Sequence, residues 1–135
     1  MINMYLKYCF LFLLGIILNS NFIFSQEVMV APENFVFSWQ KANGDEYEIP
    51  VENNIEIKIE QQRVNRALMQ ILLKSILKSR DFEAFDPLHF VLYANGNDQI
   101  AKLEFTTLGS SGEALEFTYY FRFDTYGNVF NQLED

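Results

Sequence analysis

The chain has 135 residues, half of them hydrophobic and 16% aromatic, and a formal charge of −8 at pH 7. That length suits one domain able to bury a core. So acidic a chain repels nucleic-acid phosphates and anionic membrane surfaces, and its single Cys excludes an intrachain disulfide.

Residues 1–25 read as a cleavable export signal. Lys7 precedes an apolar run from Tyr8 to Leu18, followed by Asn19-Ser20-Asn21. The run is shorter than the roughly twenty residues a membrane-spanning helix needs, which matches a signal h-region. Ile23 and Ser25 place cleavage after Ser25, with Ser20 as the alternative. Cys9 lacks the small residues that precede a lipid-modified cysteine. The competing reading is an uncleaved anchor, since Phe22-Ile23-Phe24 could lengthen the apolar segment. Cleavage leaves a single α+β domain at 26–135, without Cys9 and without a stable membrane anchor. Losing Lys7 leaves nine basic against eighteen acidic residues, a charge of −9. The address is then extracytoplasmic, periplasmic or secreted, and the fold rests on packing rather than disulfides.

Residues 26–34 read as a lead-in. Phe35, Phe37 and Trp39 alternate with polar or smaller residues, and Tyr47, Ile49 and Val51 repeat the period, which predicts two strands. A three-residue loop with Gly44 left-handed pairs Trp39 with Tyr47 and Phe37 with Ile49, keeping one face apolar. Pro50 lacks an amide donor, so its strand is read as an edge, or as ending there. Ile55, Ile57 and Ile59 suggest a third short strand. A poorly capped helix follows over about 60–80. Its polar residues Arg63, Arg66, Gln70, Lys74 and Lys78 form one narrow stripe, and the wide apolar arc predicts burial on more than one side.

The last third reads as a four-stranded meander. An Asn95-Gly96 turn sets Phe90 against Ala101 and Leu88 against Leu103. The Ser110-Ser111-Gly112 loop sets Phe105 against Phe117, and the Thr125-Tyr126-Gly127 turn sets Phe123 against Val129. One face collects Leu88, Phe90, Leu92, Leu103, Phe105, Leu115, Phe117, Tyr119, Phe121 and Phe123, and the helix should lie on it. The expected fold class is α+β: one long helix packed on a four-stranded antiparallel meander, preceded by an N-terminal β-hairpin. The order of helix then four strands resembles the cystatin-like layout, a resemblance of element order that carries over no functional residue.

The opposite sheet face gathers the candidate binding residues. His89, Lys102, Tyr120 and Gln132 are expected in one row. Val91, Ile100, Arg122 and Phe130 form the next, flanked by Glu104 and Thr118. His89 is the one mature residue whose unperturbed pKa lies near neutrality, yet no partner motif makes it catalytic. The plainer reading is a solvated face, common in antiparallel sheets. The acids from Asp45 to Glu60 lack the Asp-x-Asp-x-Asp-Gly spacing of a cation loop. Gly109-Ser110-Ser111-Gly112 is a hairpin tip, not a nucleophile elbow. With one His in the chain a His-Glu-x-x-His zinc site is excluded. The basic stripe reads as the helix's wet side.

These features point to an exported, non-catalytic binding or interaction domain, recognising a protein or small ligand through His89, Lys102, Tyr120, Arg122 and Phe130. No catalytic residue, cofactor, metal or nucleic-acid partner is expected. The alternatives are a small enzyme with a helix–sheet pocket and a structural or accessory subunit of a cell-envelope assembly.

Overall fold

The computed structural model describes residues 28–41, 43–81 and 83–134, so the signal read at 1–25 lies outside the described residues. The elements are β1 (Asn34–Gln40), β2 (Glu46–Asn53), α1 (Gln61–Ser79), β3 (Asp86–Asn95), β4 (Asp98–Leu108), β5 (Ala114–Phe123) and β6 (Val129–Leu133). All six strands form one sheet in the order β1-β2-β3-β4-β5-β6. The β2–β3 pair is parallel and the other four pairs are antiparallel.

This mixed six-stranded sheet overturns the expected long helix on a four-stranded meander preceded by an N-terminal hairpin. A hairpin standing apart would leave its apolar face wet. Joined to β3, it buries Phe37, Ile49 and Val51 in the core that α1 covers. Each such side chain contributes about 1.5–3 kcal/mol when removed from water. Strands joined through a helical crossover can pair in parallel, and residues 54–85 supply that crossover.

The hairpin register is the one its loop predicts: Phe37 faces Ile49 and Trp39 faces Tyr47, with Gly44 at φ 94. Pro50 is nevertheless not on an edge strand. The Lys41 N–H donates to the Asp45 carbonyl (2.8 Å) and the Asn53 N–H to the Glu33 carbonyl (2.6 Å). That phase turns the Pro50 nitrogen toward β3, where the parallel ladder begins only at Val51. The missing donor therefore costs no ladder bond.

The third strand expected at Ile55–Ile59 does not form. Asn53 ends β2 by accepting the Ile55 N–H on its side-chain oxygen. The segment then climbs to the helix layer, tied to the lead-in by Ala31 N–H to Ile59 carbonyl (2.9 Å) and Gln61 N–H to Met29 carbonyl (2.7 Å). Ile59 enters the core while Ile57 faces solvent.

Glu60 precedes α1 without a capping side-chain bond, and Arg80 ends it in a left-handed conformation (φ 57). Val64, Ala67, Leu68, Ile71, Leu72 and Ile76 pack in one core with Phe90, Leu92, Leu103, Phe105, Phe121 and Phe123. Burial is on one side only. Leu73 and Leu77 are exposed, at 50% and 65%, because the single sheet leaves no second layer for the wide arc.

Four further expectations are corrected. Asn95 pairs with Asp98, so the β3–β4 turn is Gly96-Asn97. Gly96 (φ 63) fills the first loop position, as a type II′ turn requires. Phe90 therefore faces Leu103 rather than Ala101, a two-residue slide that preserves the faces. A bulge between Pro87 and His89 turns Leu88 outward. Phe105 does face Phe117, but Leu115 and Phe117 are exposed instead of lying beneath the helix. Lys78, near the end of α1, lies over Tyr119, so the helix stops short of Phe117, and Phe85 covers Phe105 (ring centroids 4.6 Å). Finally, a bulge in the β5–β6 pairing sets Gln132 beside Phe121 on the helix face, where it accepts from Lys78 Nζ at 2.6 Å.

Candidate functional site

The outer sheet face holds most of the residues expected there, in different rows. Val91, Lys102, Tyr120 and Leu133 form one row. Tyr93, Ile100 and Arg122 form the next, with the Arg122 guanidinium 4.9 Å from the Phe130 ring. His89, Glu104 and Thr118 form the third. Lys102 and Tyr120 are thus brought together as expected. His89 is displaced by one row, because the β3–β4 turn is slid by two residues, and Gln132 leaves the face altogether.

Glu104 organises the charges. Its carboxylate accepts from Lys102 Nζ at 2.9 Å and lies 3.8 Å from His89 Nδ1. The hydrogen bond from Lys102 and its positive charge hold the Glu104 carboxyl below its usual range, against a smaller opposing effect of burial. The same bond and the Glu104 charge raise Lys102. Arg122 also reaches Asp98 at 3.7 Å. Each cation here already has a protein partner.

A pocket between helix and sheet was expected only for the enzyme alternative, and none of its lining residues was assigned to it. Between the tip of the β1–β2 hairpin and the C-terminal half of α1 lies a cleft of about 850 Å³. Trp39, Leu73, Ile76 and Leu77 form its apolar walls, and Gln40, Lys41, Asn43 and Glu83 supply polar groups. Trp39 is held by Tyr47 opposite it (ring centroids 5.5 Å), and Lys41 Nζ sits 4.3 Å from the Tyr47 ring. The sequence carried a signal for this cleft: the apolar arc of α1 is too wide for one sheet. Leu73 and Leu77 are the excess, and they are its exposed wall.

Among the described residues no group of three or more His, Cys, Asp or Glu could hold a metal ion. No described helix is long and apolar enough to cross a membrane. Comparison of the chain with known protein families, characterised proteins and solved structures finds no match.

Proposed function

We propose that this chain is a non-catalytic binding domain, exported after removal of residues 1–25, that takes a small amphiphilic ligand in the cleft between hairpin and helix. The cleft carries this reading. Its volume lies in the range of small-molecule sites, which are mostly apolar with a few polar groups to orient the ligand. An apolar chain or ring would sit on Trp39, Leu73 and Leu77, and a polar end would meet Gln40, Lys41 and Asn43.

Trp39 is the only Trp in the chain, so its fluorescence reports the cleft directly. Titration with a medium-chain fatty acid, and separately with the matching alkyl amine, should give a saturable change in Trp39 emission. Leu77→Asp should weaken binding about tenfold or more by charging an apolar wall. Leu77 is exposed, so folding should survive the change. Emission that ignores both probes, or binding indifferent to Leu77→Asp, would refute the reading.

The outer face supports a second binding reading, for a protein partner. The observation favouring it is the Arg122–Phe130 cation–π contact beside Tyr120 and Lys102. Tyr and Arg are the side chains that most often anchor interfaces.

A further inference from the structure

The two ends of the sheet differ. β6 is five residues long, and its pairing with β5 is broken by a bulge, both devices that blunt an exposed edge. β1 has neither. It runs seven residues in unbroken register with β2 and contains no charged residue and no proline. Its neighbours in the sheet lie on one side only. In the phase fixed by the Lys41–Asp45 and Asn53–Glu33 bonds, the N–H and C=O groups of Asn34, Val36, Ser38 and Gln40 point away from β2. Among the described residues no backbone bond satisfies them. Val36, on the outer face of this strand, is 57% exposed.

The segment from Glu33 to Lys41 is also complementary to itself. Read against its own reverse about Phe37, Glu33 meets Lys41, Asn34 meets Gln40, Phe35 meets Trp39 and Val36 meets Ser38. We propose that the β1 edge joins two copies of this chain, antiparallel and centred on Phe37, into one continuous twelve-stranded sheet. The register agrees with the backbone. It sets the outward-pointing residues against each other, Asn34 with Gln40 and Val36 with Ser38, as hydrogen-bonded pairs. Phe37, Phe35 with Trp39, and Glu33 with Lys41 fall at the non-hydrogen-bonded pairs, where side chains approach most closely. A shift by two residues in either direction sets Glu33 or Lys41 against an aromatic ring and loses both ion pairs. The contact is isologous, so it closes at two copies. The uncharged strand also lets chains of charge −8 meet at a place where their acids do not. This inference does not depend on the ligand reading of the cleft.

Sedimentation of the full chain, from low micromolar to hundreds of micromolar, tests it. A reversible monomer–dimer equilibrium is expected. Ser38→Pro should abolish the dimer. The Ser38 N–H points away from β2, so the variant keeps its internal ladder, and circular dichroism should show an intact fold. Glu33→Lys alone and Lys41→Glu alone each place like charges at both ends of the contact and should weaken the dimer about tenfold. The double exchange should restore it. A chain monomeric at every concentration overturns the proposal, as does a dimer indifferent to Ser38→Pro. Failure of the double exchange to rescue the single reversals overturns the register centred on Phe37. Should Ser38→Pro fail to fold, the charge reversals at exposed Glu33 and half-exposed Lys41 still decide.

Discussion

Gly127→Ala tests how α1 is docked on the sheet. Gly127 sits in the β5–β6 turn at φ 87, and a Cβ there would run into the backbone carbonyl of Arg63. Around it the Arg66 guanidinium donates to the Tyr126 carbonyl (3.4 Å) and the Gln70 side-chain amide to the Gly127 carbonyl (3.5 Å). Two costs combine. Left-handed backbone costs a non-glycine residue about 1–2 kcal/mol, and forcing atoms into a packed contact costs about 1–3 kcal/mol. The sum, about 2–5 kcal/mol, is a large share of the roughly 5–15 kcal/mol that holds such a domain together. Gly44→Ala is the control, because Gly44 has φ 94 but nothing within 4 Å of the added atom. It should lose the conformational part alone, about 1–2 kcal/mol. Urea unfolding of both variants, followed by circular dichroism, measures the difference. Gly127→Ala should be the less stable by at least about 1 kcal/mol. Equal losses would show that the turn does not press on α1 and would refute the docking geometry.

Phe105→Ala should cost about 3–5 kcal/mol, because Phe105 is 1% exposed among Phe85, Phe117 and Tyr119. Phe117→Ala, at a 41% exposed ring, should cost clearly less, and equal thermal shifts would contradict the short reach of α1. Partial burial raises Asp124, but hydrogen bonds from the Asn128 side chain and from the Asn128 and Tyr126 amides outweigh it and hold its carboxyl below its ordinary value. A depressed folded value means this stabilisation is present above the unfolded pKa and lost as pH falls through the folded one. The stability gap between the native chain and Asp124→Asn should therefore narrow below pH 3.8, and a gap that widens in acid would be inconsistent with that network. Tyr120→Ala combined with Arg122→Ala should change unfolding free energy by no more than about 0.5 kcal/mol per site; collapse of folding would show that the outer face is a second core. Mass spectrometry of the protein from its native host should find a chain beginning at Gln26 or Asn21, and an intact Met1 would remove the export reading.

The local elements were legible because their causes are local. Alternation at Phe35, Phe37 and Trp39, or at Leu103 and Phe105, depends on a pleat two residues long. The loops closed by Gly44 and Gly112 set their registers through positive backbone angles. The span of α1 follows from its stripe of Arg and Lys. The site was legible in part for the same reason: correct hairpin parity placed Lys102, Tyr120, Arg122 and Phe130 on one face. The Asn95-Gly96-Asn97 turn misled by two residues because two adjacent loops were chemically possible. What the sequence left open was whatever depends on a distant partner. Alternation says that Val51 has a buried face, but not that Phe90 lies beside it. Ile55, Ile57 and Ile59 repeat the strand period, yet the crossover from sheet to helix draws only Ile59 into the core. Leu73, Leu77 and Phe117 are as apolar as the side chains the core took in. Phe117 remains exposed because one helix covers only part of a six-stranded sheet, and Leu73 and Leu77 because no second layer packs on the far side of that helix; both are set by how the layers meet rather than by any residue in either.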